Sequence, residues 1–85
     1  MYGGRVSRAL HSPPYERLRD LLAAARRKAR LTQQEVADRM DRPQSFVSKY
    51  ESGERTLDVI EFIEVCTALG ASPVGVVRQL SHHPE

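Results

Sequence analysis

The segment RPQSFVSKYESG, residues 42–53, carries side chains suited to hydrogen bonding rather than to making or breaking covalent bonds. If the segment is a helix, with about 100° between successive residues, its polar and apolar side chains fall on opposite sides. The apolar side carries Phe46, Val47 and Tyr50. The other side carries an amide, two hydroxyls and an ammonium group, and from this pattern alone an ordinary solvated surface is the simpler interpretation. The polar residues are Gln44, Ser45, Ser48 and Lys49.

Catalytic chemistry has little support in the rest of the chain. The sequence shows no pairing of a nucleophile with a base, no glycine-rich phosphate loop and no paired-acid motif. Cys66 is the single cysteine, so an internal disulfide is impossible, and its place on an apolar helix face predicts a packing role. His82 and His83 have no Cys or acid cluster at ligand spacing. We predict no enzyme activity, no metal site and no cofactor.

The composition is that of one globular domain with an uneven charge. The 85 residues are 40% apolar and 28% charged, and the longest apolar run, residues 21–25, is too short to cross a bilayer. With no secretory pattern at the start, we expect a cytoplasmic protein that does not bind membranes. Residues 1–31 hold eight Arg/Lys and two acidic residues, whereas residues 56–85 hold one Arg/Lys and four acidic residues. This asymmetry suggests a polyanion partner near one side, although a merely soluble surface explains it equally well.

Capping signals divide the chain into five helices, and no segment shows the alternation of a strand. Residues 1–11 have no sustained period and are predicted to be a flexible arm. Residues 12–80 form the domain, and residues 81–85 are a short tail. Ser12 and Ser72 each precede proline, which is typical of a helix start, and they begin the first and fifth helices. The basic end of the first helix suits the helix dipole.

Local spacing also marks the three middle helices. Thr32 with Glu35, and Asp58 with Glu61, have the spacing of capping boxes at the starts of the second and fourth helices. Gly53 is suited to end the third helix in a left-handed conformation. The fourth helix is apolar on nearly all sides, which predicts that it is the central helix of the domain.

Two short helices joined by a three- or four-residue turn, at about residues 32–52, form a helix-turn-helix pattern. The pattern and its surroundings contain the stretches LTQQEVADRM (31–40), QSFVSKYESGER (44–55) and ALG (68–70). Through these stretches the chain resembles the λ-repressor/Cro family, also called the XRE family, over about Leu18 to Val77. Two departures are Asp41, where relatives usually carry glycine, and Leu57, where they often carry proline. Aspartate tolerates left-handed backbone, so the fold is retained.

The resemblance implies a five-helix, λ-repressor-like domain whose third helix lies in the major groove of double-stranded DNA. Glutamine can bond adenine through two hydrogen bonds, and serine hydroxyls can bond several base edges. Gln33 would bond phosphate and brace Gln44, while Thr32 would offer helix N-terminal N–H groups to phosphate. The implied base contacts are Gln44, Ser45, Ser48 and Lys49. The implied phosphate contacts are Thr32, Gln33 and, as weaker candidates, Arg42, Ser52 and Arg55.

The family also implies a structural ion pair, since relatives often pair the residue equivalent to Glu51 with an arginine of the first helix, here Arg26. Two classes of function remain open. The first is a sequence-specific DNA-binding transcriptional regulator, a repressor or autoregulator. The second is a protein-interaction module, such as an antitoxin of this fold that binds a toxin; such a protein usually needs an extra binding segment.

The fifth helix is the predicted surface for a homodimer. Val74, Val76, Val77 and Leu80 make it more apolar than a short terminal helix needs for packing on its own domain. Dimers of such domains bind two half-sites one DNA turn apart. We therefore predict a symmetric dimer through the fifth helix and the end of the fourth, near Leu69 to Leu80. In the alternative, Val74, Val77 and Leu80 all face the first helix and only Val76 lies outside.

Overall fold

Five α-helices make up residues 12–82, the part of the chain that this computed structural model describes, and no strand occurs among them. The predicted arm, residues 1–11, and residues 83–85 of the predicted tail lie outside the described residues. The helices are α1 (Pro13–Lys28), α2 (Gln33–Met40), α3 (Gln44–Ser52), α4 (Val59–Leu69) and α5 (Pro73–Ser81). None of these helices alone has the length and apolar character to cross a membrane. Only α4 and α5 taken together have that length and apolar character, and the chain bends by 112° between them.

Side-chain caps explain where every described helix except α3 begins. The hydroxyls of Ser12 and Ser72 accept backbone N–H groups in the first turns of α1 and α5. Thr32 and Asp58 begin complete capping boxes at α2 and α4, as their spacing predicts. Pro43 precedes α3 and provides no side-chain cap, so the position of α3 depends on tertiary contacts rather than on its own start.

Left-handed backbone closes the turns around the two helices of the motif. Asp41, at the end of α2, has φ 57°, the conformation that aspartate tolerates where relatives usually carry glycine. Arg30, between α1 and α2, has φ 62°, a left-handed conformation that no local sequence pattern predicted. Gly53 ends α3 with φ 87°, and a Cβ added there would lie 3.1 Å from Cζ of Arg19. Glycine at this position therefore satisfies both the backbone conformation and the close approach of α1.

One apolar core joins all five helices. Tyr50 of α3 is fully buried, and the Phe46 ring meets it edge to face with 5.7 Å between the ring centroids. Burial raises the pKa of the Cys66 thiol to about 11, so the thiol stays protonated and packs as an apolar group. The fully buried side chains are Leu22, Val36, Ala37, Val47, Tyr50, Val65 and Cys66.

The prediction that α4 is central is correct only for its second half. The first turns of α4 expose Val59, Ile60 and Ile63 to solvent. Apolar character on all sides shows that any side could be buried, but a small domain has too few neighbouring helices to cover them all. The side chains of α4 that do reach the core are Val65, Cys66, Ala68 and Leu69.

The rotation of α5 about its axis differs from both descriptions of its valines that the sequence allowed. In particular, it is opposite to the alternative in which Val76 alone faces solvent. Val76 is 8% exposed and lies beside Leu21 and Ala25 of α1, whereas Val74 is 64% exposed and Val77 is 49% exposed. The apolar spacing of α5 is compatible with either side facing α1, so only the approach of α1 decides between them. The structure therefore buries Val76 within the domain and leaves Val74 and Val77 on its surface.

Candidate nucleic-acid interface

The solvent side of α3 presents the polar residues that were predicted to share it. Ser45 and Lys49 are exposed and Gln44 and Ser48 are half-buried, while the aromatic and valine side chains between them are buried. The buried side chains fix the rotation of the helix about its axis, because turning it would expose two rings and a valine. An amide, two hydroxyls and an ammonium group therefore point away from the core on one side of a nine-residue helix.

A partly buried ion pair connects α1 with the end of α3. Nε of Arg26 donates to Oε2 of Glu51 at 2.7 Å, and Nη2 of Arg26 donates to Oε1 at 3.1 Å. The two side chains are only 15% and 10% exposed. The hydrogen bond to Glu51 raises the pKa of the Arg26 guanidinium above its ordinary value. Arg26 also donates to the backbone carbonyl of Leu31, so one guanidinium group links α1, the turn before α2 and α3.

The same carboxylate begins a hydrogen-bonded chain that ends at the start of α3. Nε2 of Gln33 donates to Oε1 of Glu51 at 2.9 Å. Nε2 of Gln44 in turn donates to Oε1 of Gln33 at 2.6 Å. We call Arg26, Glu51, Gln33 and Gln44 the amide relay. The relay connects α1, α2 and both ends of α3, and it holds the Gln44 side chain in one place.

A shallow, open depression in the surface lies where α1 ends and α2 begins, and Arg26, Gln33 and Gln44 of the amide relay form part of it; we call it the basic groove. Arg27, Arg30 and Thr32 are exposed along it, while Gln33 and Gln44 are half-buried. The basic end of the first helix was predicted only to suit the helix dipole, so Arg27 and Arg30 were not predicted as binding residues. The basic run was the available signal, but the left-handed backbone at Arg30 that turns the chain here was not foreseeable from local patterns. The groove places two guanidinium groups next to the first turn of α2.

Arg42 and Arg55, which were weaker phosphate candidates, lie on the opposite side of α3. Their Cζ atoms are 4.5 Å and 4.8 Å from the centroid of the Phe46 ring. Arg55 makes two hydrogen bonds of 3.2 Å to Glu61, and Arg42 donates to Glu64 at 3.3 Å. The hydrogen bond from Arg55 lowers the pKa of Glu61. Both guanidinium groups are therefore partnered within the domain, and neither lines the basic groove.

Thr32 and Ser52, two other phosphate candidates, also have partners inside the chain. The Thr32 hydroxyl accepts the N–H of Glu35 at 3.0 Å, and the Thr32 N–H donates to the Glu35 carboxylate at 2.8 Å. Ser52 donates to the carbonyl of Lys49 and lies 3.2 Å from a carboxylate oxygen of Glu54. That carboxylate disfavours an anion at Ser52, whereas Thr32 keeps its position at the edge of the basic groove.

Comparisons with known proteins agree with this architecture. Residues 17–79 match the model of a helix-turn-helix domain family. The solved structure of an XRE-family like protein from Pseudomonas syringae pv. tomato str. DC3000 is 41% identical with a TM-score of 0.85, and both chains are covered in full. The crystal structure of the clp gene regulator ClgR from C. glutamicum is 25% identical with a TM-score of 0.73, covering 85% of this chain and 94% of that chain. No curated protein gives a significant match.

The chain belongs to the XRE family of helix-turn-helix DNA-binding proteins. The predicted resemblance and the predicted fold class are both confirmed. The XRE family is not a family of enzymes, so the chemistry to be explained is binding. Within residues 12–82, no group of three His, Cys, Asp or Glu side chains is placed to hold a metal ion.

In this XRE-family domain, α1 braces the last turn of α3 and the loop that follows it. Nη1 of Arg19 donates to the backbone carbonyl of Glu51 at 3.0 Å, which satisfies a free carbonyl in the last turn of α3. The Tyr15 hydroxyl accepts the N–H of Leu57 at 2.8 Å, and burial raises the pKa of this phenol. Neither contact was predicted, because each joins residues more than 30 positions apart that no local pattern relates.

Proposed function

We propose that this XRE-family protein is a sequence-specific transcriptional regulator that binds double-stranded DNA by placing α3 in the major groove. The observation that carries the proposal is the fixed position of Gln44, whose amide is hydrogen-bonded to Gln33 at 2.6 Å at the start of α3. Exposed Ser45 and Lys49 and half-buried Ser48 continue the same side of the helix. Amide, hydroxyl and ammonium groups in this arrangement suit the donors and acceptors of base edges.

Phosphate contacts would come from the basic groove beside α3. Thr32 and Gln33 lie at its edge, and exposed Arg27 and Arg30 add positive charge. Such contacts set the position and affinity of the domain on the duplex, while base contacts set the sequence. Arg42 and Arg55 would have to leave their carboxylate partners to bind phosphate. Phosphate binding is therefore assigned first to the groove and only second to Arg42, Ser52 and Arg55.

Control of transcription would follow from occupancy of an operator. A domain bound over a promoter excludes other proteins, which makes a repressor or an autoregulator the simplest form of action. The similar ClgR protein is described as a regulator of the clp genes, which supports a role in transcription. We expect the protein to act in the cytoplasm, where its DNA would be.

Binding to DNA is tested by selecting bound sequences from a random duplex pool and measuring affinity at several salt concentrations. A regulator enriches one motif, and its affinity for random duplex falls steeply with salt because phosphate contacts release counterions. An Arg27→Ala, Arg30→Ala double variant should weaken binding to all duplexes together and flatten the salt dependence. Affinity that is absent at low salt, or a pool that yields no motif, contradicts the proposal.

A symmetric homodimer through α5 would allow two copies of the domain to bind two half-sites of one DNA operator. One recognition helix covers too few base pairs to specify a site in a genome, and dimers solve this with half-sites about 34–36 Å apart. Val74 and Val77 are exposed and available for such a surface, and Leu80 is half-buried. Val76 packs within its own domain and is the member of the predicted set that contributes least.

The dimer is tested with two variants of equal exposure. Val74 on α5 and Ile60 on α4 are both 64% exposed, so Val74→Glu and Ile60→Glu differ mainly in which helix they change. An α5 interface predicts that Val74→Glu halves the mass in light scattering, while Ile60→Glu keeps the mass of the wild type. Circular dichroism confirms that both variants are folded. The reverse result places the interface on α4, and a wild-type monomer that still binds its motif with full affinity contradicts the dimer.

One observation favours the alternative function, a protein-interaction module such as an antitoxin that binds a toxin. Val59, Ile60 and Ile63 form an exposed apolar surface on α4 that DNA binding through α3 does not use. Exposed apolar patches mark protein interaction sites when they are large enough. The salt-dependence experiment separates the two functions, because a module that binds only protein shows no affinity for random duplex.

A further inference from the structure

The amide relay has a chemical direction. An ionised carboxylate only accepts hydrogen bonds, whereas a glutamine amide donates at one end and accepts at the other. Gln33 must therefore turn its NH2 group toward Glu51, which it contacts at 2.9 Å. Its carbonyl oxygen then faces Gln44, which must turn its own NH2 group toward Gln33, at 2.6 Å. The charge at one end of α3 thus fixes the orientation of an amide at the other end.

This direction limits which base Gln44 can bond. One N–H of Gln44 is used by Gln33, which leaves one N–H and the carbonyl oxygen for DNA. Adenine presents one acceptor, N7, beside one donor, the N6 amino group, in the major groove, and these match what remains. Guanine presents two acceptors, N7 and O6, and would need two donors. A Gln44 side chain outside the relay could supply both of its N–H groups to guanine.

We propose that Glu51 is a positioning residue for sequence recognition, and that it makes Gln44 select adenine over guanine by fixing the direction of the amide relay. This inference rests on the proposed binding of α3 in the major groove. Glu51 itself is immobilised, since Arg26 holds both of its carboxylate oxygens and Arg19 bonds its backbone carbonyl. Only Glu51 in the relay has a fixed acceptor character, because each glutamine could be reversed without it.

The variant that tests the direction is Glu51→Gln, which keeps the size and shape of the side chain but adds a donor. The NH2 group of an amide at position 51 meets Nη2 of Arg26 if it faces Gln33, and Nε of Arg26 if it faces away. Either orientation loses one hydrogen bond to Arg26, so position 51 no longer fixes the direction of the relay. The reversed orientation, which frees both N–H groups of Gln44, can then be populated. The matched control is Arg26→Lys, which weakens the ion pair but leaves the carboxylate and therefore the direction. A purely structural role of the pair affects both variants, whereas a directional role affects only Glu51→Gln.

The measurement is the ratio of affinities for two selected duplexes that carry adenine or guanine at the base pair nearest Gln44. The wild-type ratio is expected to be about 5- to 150-fold in favour of adenine, the usual range for one well-made base contact. It should fall to about 3-fold or less, or favour guanine, in Glu51→Gln, and stay within about 3-fold of the wild type in Arg26→Lys. Circular dichroism and thermal unfolding show how much of each chain is folded.

A second variant, Gln33→Met, removes the central amide and should lower the same ratio, which keeps the test valid if Glu51→Gln does not fold. Loss of a phosphate contact by Gln33 weakens both duplexes equally and leaves the ratio unchanged. An unchanged adenine preference in folded Glu51→Gln, or in Gln33→Met, overturns the inference while the proposed function stands. Equal losses in Glu51→Gln and Arg26→Lys also overturn it. A wild type without any base preference overturns the inference and the proposed function together.

Discussion

Two arginine–glutamate clusters hold α3, and they differ in burial and in what they reach. In the amide relay, Arg26 and Glu51 are 15% and 10% exposed, and the chain continues through Gln33 to the solvent side of the helix. In the second cluster, Arg55 is 37% exposed beside Glu61, which is 14% exposed. That cluster ends on the Phe46 ring, on the apolar side of α3.

The difference shows how similar side chains acquire different roles. Both partners of the Arg26–Glu51 pair are largely shielded from water, so removing one strands a poorly hydrated charge. Arg55 is more open to water, so its pair with Glu61 is more strongly screened. The relay therefore makes the stability of the domain and the geometry of Gln44 depend on the same contacts. The second cluster packs Arg42 and Arg55 on Phe46 and contributes to the seating of α3 without reaching the solvent side.

The largest expected effect is the loss of one partner of the Arg26–Glu51 pair. Arg26→Ala or Glu51→Ala should lower the free energy of unfolding by about 2–4 kcal/mol, because each leaves a largely shielded charge without its partner. The double variant should lose less than the two single variants combined, since it leaves neither charge unpaired. Chemical denaturation of the four proteins measures this cycle. Purely additive losses would mean that the pair contributes no coupling energy.

An intermediate effect is expected at the solvent side of α3. Gln44→Ala should cost about 1–3 kcal/mol on the selected DNA site and relax the preference at one base pair, because it removes a base contact. If the Lys49 ammonium group also contacts phosphate, Lys49→Ala should weaken binding to the selected and the random duplex by more similar factors than Gln44→Ala does. The comparison variant is Ile60→Ala, on the exposed side of α4, which should change DNA affinity little. Titrations with selected and random duplex separate these cases, and equal losses on both for Gln44→Ala contradict its role.

Local chemistry explains which parts of the fold were predictable from the sequence. Caps such as Thr32 and Asp58 act within four residues, so their spacing alone locates the helices. The separation of α3 into a polar side and an apolar side follows equally from the helical period of about 100° per residue. The burial of Val76, the exposure of Ile60 and the partners of Arg55 depend instead on which helices approach from elsewhere in the chain. For the candidate site, the residue types were therefore predictable, but the relay that joins them required three-dimensional structure.

The smallest expected effect concerns the second cluster and pH. Arg55 lowers the pKa of Glu61 below its ordinary value of 4.5 in the folded state. The pair therefore contributes stability that is fully present above the unfolded pKa and is lost as pH falls through the folded pKa. A pair whose arginine is open to water in this way is worth about 0.2–1 kcal/mol.

The corresponding measurement compares the wild type with Glu61→Gln. The stability advantage of the wild type at neutral pH should shrink below about pH 4.5, where the carboxylate in the unfolded chain becomes protonated. Urea denaturation at several pH values follows this difference. A constant difference between the two proteins from neutral to acid pH would show that the Glu61 charge contributes nothing.

The claim that the two sides of α3 have separate tasks is tested most directly by nuclear magnetic resonance of the 15N-labelled protein titrated with its selected duplex. The expected result is a set of large shifts in the backbone amides of Gln44, Ser45, Ser48 and Lys49, and in the side-chain amides of Gln33 and Gln44. The backbone amides of Glu61 and Glu64 on α4 should move little. Large shifts confined to α4 or α5, with the α3 signals unchanged, would contradict the assignment of α3 as the helix that binds DNA.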